Sequence, residues 1–242
     1  MEKHSVVLVG GGPGAWDLIT VRGMHALQAA DVILADHLGP TSQLHKLCDL
    51  SNKEVIDCSK LPYGKQVAQE RINELLVQHA LAGRRVVRLK GGDPYVFGRG
   101  FEELQACAAA GLAVEVIPGV TSAISVPAVF GVPVTQRGVV HSFSVISGHL
   151  PPGHPASLND WNALANTGGT LVVIMGVKNG AAIASALIDA GRPGETPVAV
   201  IQEGTTAEQR GFRTTLEQLG SALAEHEVRP PAVIVIGDVA GL

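Results

Sequence analysis

The amino-acid sequence predicts an α/β protein made of two α/β domains with mainly parallel or mixed sheets. Two observations lead to this prediction. Short runs rich in Val, Ile and Leu alternate with segments that carry apolar residues at helical spacing. In the first half these runs are continuously apolar, which is typical of a parallel sheet covered by helices on both faces. Pro118 and Gly119 interrupt the alternation, and we therefore predict domains at 1–118 and 119–242.

The first predicted domain alternates strands with helices along its length. The segment 66–82 illustrates the helical pattern, because its apolar residues at 68, 72, 75 and 76 follow the i, i+4, i+7, i+8 spacing of one helix face. The predicted strands are 5–10 (SVVLVG), 31–36 (DVILAD), 54–57 (EVID), 84–89 (RRVVRL) and 113–117 (AVEVI). The predicted helices are 20–30, 66–82 and 101–110.

The second predicted domain begins with a helix over 120–130 and continues with apolar strands. The predicted strands are 142–147 (SFSVIS), 170–175 (TLVVIM), 196–201 (TPVAVI) and 231–237 (PAVIVIG). Helical segments near 178–190 and 214–226 separate the last three strands, and a proline-rich loop follows the first. The two halves show no sequence self-similarity, so a repeat protein is not expected.

Composition and charge exclude several classes of function. The formal net charge is -4, so the protein does not attract polyanions as a whole, and any anionic ligand must meet a local basic cluster. Nucleic-acid binding is therefore not expected. Cys48, Cys58 and Cys107 form no CxxC pair, which favours a reducing, cytoplasmic setting and argues against a structural zinc site. The loosely spaced pairs His45/Cys48 and His149/His154 do not change this prediction, and we expect no metal.

A long uncharged segment, 116–136, raises the question of a membrane span. It contains Pro118, Pro127 and Pro133 together with polar residues, so we interpret it as a buried turn and helix. The apolar run near the N-terminus is too short for a signal peptide. We expect a soluble protein.

A glycine loop follows the first predicted strand and allows more than one interpretation. Gly10, Gly12 and Ala15 match GxGxxG/A, and Asp36 ends the second strand near where an acidic residue holds a ribose in dinucleotide folds. A nicotinamide-dependent oxidoreductase, an ordinary Rossmann methyltransferase and a turn without a ligand all remain open on this motif. Pro13 argues against the first two, because it removes one N–H from a loop that would donate to a phosphate or ribose.

Three longer segments together resemble the tetrapyrrole (corrin/porphyrin) methylase family, and within it the uroporphyrinogen-III C-methyltransferases. They are GGGPGAWDLIT at 10–20, RLKGGDPYVFGRG at 88–100 and PGVTSAISVPAVFGVPVTQRG at 118–138. Later segments agree with this resemblance, namely SGH at 147–149, TLVVIMG at 170–176, TPVAVIQEGTTAEQR at 196–210 and RPPAVIVIG at 229–237. The resemblance covers nearly the whole chain in the same order.

This resemblance implies a homodimeric enzyme with its active site in the cleft between two domains. The cofactor would be S-adenosyl-L-methionine, released as S-adenosyl-L-homocysteine. The implied reaction is two methyl transfers, to C2 and C7 of uroporphyrinogen III, giving precorrin-2. Oxidation and metal insertion are expected to be performed elsewhere. The alternatives are methylation of a later precorrin, a non-catalytic tetrapyrrole-binding module and the nicotinamide-dependent oxidoreductase.

The resemblance also implies roles for particular residues. The expected cofactor-binding residues are Pro13, Gly91, Gly92, Asp93, Val96, Thr121, Ser122, Met175 and Gly204. The expected substrate-binding residues are His37, Arg99, Glu102, Arg137 and His149, since a substrate with eight carboxylates needs placed cations in a net-negative protein. The expected catalytic residues are Asp36 and Lys60 for proton transfer, and Arg99 in an electrostatic role.

The chain departs from the family pattern at several of these places. His37 stands where the family usually has an arginine, so carboxylate binding there is expected to be weaker or dependent on pH. The segment SKLPYGK around Lys60 differs from the usual GKRxG, which weakens that match. Trp16 and Phe101 replace smaller residues, and Phe101 could narrow the entrance for the substrate.

Overall fold

The computed structural model describes residues 6–58 and 65–242, and the chain divides into two compact units, Met1–Thr121 and Ser122–Leu242. Each unit is an α/β structure built on a five-stranded sheet. The predicted fold class is therefore confirmed: one sheet is parallel and the other is mixed.

The first unit contains a parallel sheet whose strands lie in the order β3-β2-β4-β1-β5. Its strands are β1 (Val6–Gly10), β2 (Val32–Ala35), β3 (Glu54–Asp57), β4 (Val86–Lys90) and β5 (Val114–Ile117). Its helices are α1 (Val21–Ala29), α2 (Lys65–Leu81) and α3 (Gly100–Ala109). The central strand β1 pairs with β4 and β5, so Val6 lies opposite both Val86 and Val114.

Alternate residues of these strands belong to two separate hydrophobic cores, one on each face of the sheet. Val6, Leu8 and Leu34 point to the face that α2 and α3 cover, whereas Val9 and Ile33 point to the face that α1 covers. This explains why the inner strands β1, β2 and β4 are largely apolar, since both of their faces are mostly buried. All carboxyl ends of the parallel strands lie at one edge of the sheet, and the loops that follow β1, β2, β4 and β5 are gathered there.

The second unit contains a mixed sheet with the strand order β6-β7-β10-β8-β9. Its strands are β6 (Phe143–Ser147), β7 (Thr170–Ile174), β8 (Pro197–Gln202), β9 (Arg210–Thr215) and β10 (Ala232–Ile236). Its helices are α4 (Ser122–Val129), α5 (Trp161–Ala165), α6 (Gly180–Asp189) and α7 (Leu219–Glu225). Strands β6 and β7 are parallel, whereas β10 runs antiparallel to both β7 and β8. Therefore β6, β7 and β8 point the same way, and their carboxyl ends share an edge.

Two elements of the second unit differ from the sequence-based prediction. The predicted helix near 214–226 is wrong at its start, because β9 extends to Thr215 and α7 begins at Leu219. Strand β9 was missed because RGFRTT is polar, as suits an edge strand that pairs only with β8. The short helix α5 was also missed. Asp160 caps it by accepting a hydrogen bond from the N–H of Ala163 at 2.9 Å.

No described helix is both long enough and apolar enough to cross a bilayer. The uncharged segment 116–136 contains the end of β5 and helix α4, with Pro127 inside that helix. Within residues 6–58 and 65–242, no cluster of three or more His, Cys, Asp or Glu side chains could hold a metal ion.

An exposed ion pair connects the amino ends of β2 and β4. Arg85 Nη2 lies 2.6 Å from Asp31 Oδ1, and hydrogen bonds from Arg85 lower the pKa of Asp31 to about 2. We expect Asp31→Asn to lower the free energy of unfolding by less than about 1 kcal/mol at pH 7, because solvent screens an exposed pair. Since the folded-state pKa lies below the unfolded value, the contribution is complete above about pH 4 and is lost as the pH falls towards 2. Urea unfolding of the wild type and of Asp31→Asn should show that the difference between their free energies of unfolding becomes smaller from pH 7 to pH 3. A difference that stays constant would contradict this assignment.

Candidate active site

The loops that follow β1 and β4 are joined backbone to backbone. Gly12 and Gly92 exchange two hydrogen bonds, with N···O distances of 3.2 Å and 2.7 Å, and Gly11 N–H donates to Lys90 O at 2.7 Å. The glycine loop and the GGDP loop, which lie 80 residues apart in the sequence, therefore form one surface at the carboxyl edge of the first sheet.

Close packing of glycines adds the loop after β5 to this surface. A Cβ on Gly119 would collide with Gly92 O and Gly10 Cα, and a Cβ on Gly10 would collide with the backbone of Gly119. The three loops meet so closely that only glycine fits at these two positions. Gly92 itself has φ +65, which also favours glycine.

Asp93 holds two of these loops together. Its Oδ2 accepts a hydrogen bond from Gly119 N–H at 3.0 Å, and its Oδ1 accepts one from Tyr95 N–H at 2.8 Å. The sequence predicts a cofactor contact for this carboxylate, and the structure assigns it a structural contact as well. Each carboxylate oxygen has a second lone pair, so the two roles are compatible.

The remaining residues predicted to bind the cofactor from the first unit lie around this surface. Pro13 follows Gly12, and the N–H of Val96 donates to Asp93 O at 3.3 Å. An added Cβ on Gly92 would not collide with the protein, because its nearest neighbour would be Thr121 Cα at 3.9 Å, an ordinary contact. The fold therefore brings all the predicted cofactor residues of this unit to one edge.

Asp36 lies just beyond the carboxyl end of β2 with its side chain 22% exposed. Its carboxylate accepts hydrogen bonds from the N–H of Gly91, at 3.2 Å to Oδ1 and 3.4 Å to Oδ2, and from the N–H of Leu38 at 3.1 Å. Arg88 Nη2 lies 3.5 Å from Oδ2. Asp36 is thus fixed against the first residue of the GGDP loop while one side remains open to solvent.

A buried ionic cluster lies behind Asp36, and the sequence reasoning missed it. Arg88 and Lys90 of β4 and Glu103 of α3 are all almost completely buried. Arg88 Nε and Lys90 Nζ both bind Glu103 Oε1, at 3.0 Å and 2.9 Å. Burial lowers the pKa of Lys90; for Arg88, the charges of Glu103 and Asp36 outweigh desolvation and raise the pKa. The available signal was the pair of basic residues at alternate positions of an otherwise apolar strand.

Arg99 and Glu102 form an exposed pair at the start of α3. Arg99 Nε and Nη2 each bind one carboxylate oxygen of Glu102 at 2.7 Å. This hydrogen bonding raises the pKa of Arg99 above its ordinary value and lowers that of Glu102. Arg99 is therefore a permanent cation, and the two bonds use two of its five N–H donors. Phe101 is exposed beside the pair and contacts Tyr95 edge to face, with ring centroids 6.1 Å apart.

The two remaining predicted residues of the first unit are His37 and Lys60. His37 follows Asp36 directly and is exposed. Lys60 lies outside the described residues, so its predicted role in proton transfer remains a prediction from sequence.

In the second unit, three predicted site residues follow the carboxyl ends of parallel-running strands. His149 follows β6, Met175 follows β7 and Gly204 follows β8. His149 Nδ1 lies 2.8 Å from Ser147 Oγ, and Val126 of α4 packs against Gly204. The exposed side chain of Met175 and its φ of +57 were not foreseen.

Ser122 and Arg137 occupy other positions in the second unit. Ser122 is the first residue of α4. Arg137 is exposed in a turn that Gln136 and Val140 close with two hydrogen bonds of 3.2 Å and 2.9 Å, ahead of β6.

Backbone strain in the described residues is concentrated at these loops. The non-glycine residues with positive φ are Phe97, Arg99, Met175, Glu203, Thr205 and Glu227. All but Glu227 lie in, or directly beside, segments that the sequence assigns to the site. A left-handed backbone costs on the order of 1–3 kcal/mol per residue and is typical of functional sites. The positive φ values therefore indicate a functional site at the same loops, independently of the sequence motifs.

Comparison with known proteins indicates the family to which this chain is similar. A family model described as tetrapyrrole (corrin/porphyrin) methylases matches residues 5–220. The S-adenosyl-L-methionine-dependent uroporphyrinogen III methyltransferase of Methanosarcina barkeri is 44% identical over 237 residues, which cover 98% of this chain and 92% of that protein. A siroheme synthase of Pseudomonas paraeruginosa is 43% identical over 100% of this chain, but the chain spans only 51% of its length.

A solved structure is similar along the whole chain. It is the uroporphyrin-III C-methyl transferase of Thermus thermophilus in complex with S-adenyl homocysteine. The TM-score is 0.80 at 38% sequence identity, and the match covers 98% of both chains.

Proposed function

The chain belongs to the tetrapyrrole (corrin/porphyrin) methylase family, and we propose that it transfers methyl groups from S-adenosylmethionine to C2 and C7 of uroporphyrinogen III, giving precorrin-2. The observation that carries this proposal is the near full-length similarity to an S-adenosyl-L-methionine-dependent uroporphyrinogen III methyltransferase. It favours methyl transfer over the nicotinamide-dependent alternative that the glycine loop alone left open.

The residues at the carboxyl edge of the first sheet suit S-adenosylmethionine. Gly91 and Gly92 present backbone without a Cβ, and no protein atom crowds the Cβ direction of Gly92. Each oxygen of Asp93 keeps a lone pair for a ribose hydroxyl or an ammonium group. We propose that these residues, with Pro13 and Val96, hold the cofactor from this unit. Thr121, Ser122, Met175 and Gly204 are the other proposed contacts.

The bound cofactor supplies an electrophilic methyl group. The C–S bond breaks as a bond forms to an electron-rich pyrrole carbon, so the positive charge moves from sulfur to the tetrapyrrole, which then loses a proton. No covalent intermediate with the protein is required. The protein must align the reacting atoms and accept the proton.

Asp36 is the proposed proton acceptor. It is held by the N–H of Gly91, next to the proposed cofactor residues, and one side of its carboxylate faces solvent. Arg99 does not suit this role, because its pairing with Glu102 raises its pKa. We propose instead that Arg99 binds substrate carboxylates through its remaining donors. Lys60 remains a second candidate for proton transfer.

Further basic residues complete the proposed recognition of the substrate. Arg137 and His149 are exposed in the second unit, and His37 is exposed beside Asp36. Because the net charge is -4, carboxylate recognition must depend on such local cations. We also propose that the enzyme is a homodimer and acts in the cytoplasm, where thiols such as Cys58 and Cys107 remain reduced.

An anaerobic assay tests the proposed function. The protein is incubated with S-adenosylmethionine and enzymically generated uroporphyrinogen III, and the tetrapyrrole is analysed by mass spectrometry. We expect the mass of the tetrapyrrole to increase by two methyl groups.

The controls separate the possible failures. Binding of S-adenosylhomocysteine, measured by calorimetry, should be retained whether or not the tetrapyrrole is correct. Binding without methylation would redirect the search to later precorrins. Absence of both binding and methylation would contradict the proposed function.

A further inference from the structure

Three charged side chains of the first unit are buried at a place where apolar residues would pack. The exposed fractions of Arg88 and Lys90 are each 3%, and that of Glu103 is 0%. Gln69 Nε2 also donates to Glu103 Oε1, at 3.3 Å, and Glu103 Oε2 has no hydrogen-bond partner among the described residues. Buried ion pairs of this kind are often no more stabilising than apolar residues of the same volume. Stability alone therefore does not account for the cluster.

The geometry of Arg88 connects the cluster to Asp36. Arg88 Nη1 donates to the carbonyl oxygens of Leu34 and Leu89, at 3.4 Å and 2.8 Å, and Nη2 reaches Asp36. A guanidinium group is planar, so fixing Nε on Glu103 also fixes the direction of Nη2. Arg88 thus ties the ends of β2 and β4 to the carboxylate of Asp36.

Glu103 connects the same cluster to the first turn of α3. It follows Glu102 in the helix. The pKa of Arg99 is raised mainly by the hydrogen bonds that Arg99 donates to Glu102, and the negative charge of Glu103 adds to this effect. The carboxylate that orients Arg88 therefore belongs to the same helical turn as the exposed Arg99–Glu102 pair. Lys90 holds the same oxygen of Glu103 from the end of β4, directly before Gly91.

We propose that Arg88, Lys90 and Glu103 are positioning residues that hold Asp36 in a fixed place relative to the first turn of α3 and to Gly91. The proposal rests on the proposed function, because it assumes that Asp36 acts on the substrate. The three side chains are buried and are not expected to touch the substrate themselves. They act by limiting where the carboxylate of Asp36 can lie.

The decisive variant replaces the three charges together by apolar side chains of similar volume, Arg88→Met, Lys90→Met and Glu103→Leu. The three most buried charges are removed together, and Asp36, which loses Arg88, remains partly exposed to solvent, so the unfolding temperature should not fall. We expect the Kd for S-adenosylhomocysteine to change by less than about threefold, and kcat to fall about 100-fold, as a misplacement of about 1 Å causes. The amide of Gly91 should exchange with solvent at least about tenfold faster, because Asp36 no longer stays against it.

Two further variants accompany the triple variant. Arg88→Met alone leaves Lys90 and Glu103 as a balanced pair and removes the side chain that contacts Asp36, so it should lower kcat to a similar extent. It also keeps the proposal testable if the triple variant does not fold. Asp31→Asn is the matched control, since it breaks an exposed ion pair at the opposite ends of the same two strands and should leave kcat unchanged.

The outcomes distinguish this proposal from the proposed function. A folded triple variant, or a folded Arg88→Met variant, with kcat and Gly91 exchange like those of the wild type would overturn the positioning role. A wild-type protein that does not methylate uroporphyrinogen III would refute the proposed function instead. In that case the exchange rate of Gly91 still decides whether the cluster holds Asp36.

Discussion

An Asp36→Asn variant is expected to lose roughly 10²- to 10⁴-fold in kcat while keeping its fold and its affinity for S-adenosylhomocysteine. This range is the usual contribution of a positioned general base. A carboxamide cannot accept the proton that the tetrapyrrole loses after methylation. Its oxygen can still accept a hydrogen bond from the N–H of Gly91, which now binds the carboxylate at 3.2 Å, so the GGDP loop should stay in place.

The measurement is a single-turnover assay under anaerobic conditions, with calorimetric titration of S-adenosylhomocysteine into the same preparation. Asp31→Asn makes the same chemical change before β2 rather than after it and should leave turnover unchanged. If Asp36→Asn turns over at the wild-type rate, Asp36 is not the proton acceptor. Lys60 would then be the next residue to replace.

A Gly119→Ala variant is expected to damage the candidate site more severely than any other single added methyl group. Its Cβ would overlap Gly92 O and Gly10 Cα, which are backbone atoms that cannot rotate away. Overpacking of this kind typically costs about 1–3 kcal/mol, and rigid neighbours place this case at the upper end or above. We expect the unfolding temperature to fall by several degrees and the affinity for S-adenosylhomocysteine to fall at least about 100-fold, because the joined loops must separate.

Thermal unfolding and calorimetry test this prediction, and Gly39→Ala provides the control. Gly39 lies in the same unit, in the loop after β2, but its added Cβ would be 3.7 Å from the nearest atom, an ordinary contact. The control should therefore unfold at nearly the wild-type temperature. Equal unfolding temperatures for Gly119→Ala and Gly39→Ala would show that the loops are not packed as closely as described.

The two variants probe different properties of one edge of the sheet. Asp36→Asn changes the chemistry of a side chain and leaves the backbone that holds it. Gly119→Ala changes no chemistry but is expected to separate the loops that present the proposed cofactor residues. A loss of kcat without loss of affinity in the first variant, and of affinity in the second, would assign proton transfer and cofactor binding to neighbouring parts of the same structure.

The sequence by itself determined the fold class and indicated the segments that we propose as the site. Continuously apolar runs separated by helical spacing predict a parallel sheet, because only strands buried on both faces can lack polar residues. The motifs GGGPGAWDLIT and GGDPYVFGRG indicate the proposed cofactor loops, since residue types and their spacing are local properties of the chain. Predicted and observed strands of the first unit agree closely for the same reason.

Elements whose partners are distant in sequence could not be predicted in this way. Strand β9 is polar and depends on pairing with β8, so its own residues carry little signal. The structural contact of Asp93 could not be predicted for a similar reason. Its sequence context indicates a ligand contact, but only the folded chain brings Gly119 N–H within 3.0 Å of its carboxylate.

The ionic cluster behind Asp36 shows most clearly what could not be predicted from the sequence alone. Arg88 and Lys90 are visible in the sequence as charges within an apolar strand, yet nothing local indicates that both bind Glu103 on a later helix. Only packing of α3 against the sheet brings these groups together. Only their burial limits the positions that the three charged side chains can adopt. The sequence therefore determined which chemical groups are available, whereas the tertiary structure decided which of them meet, because burial and distance arise only when separate elements pack.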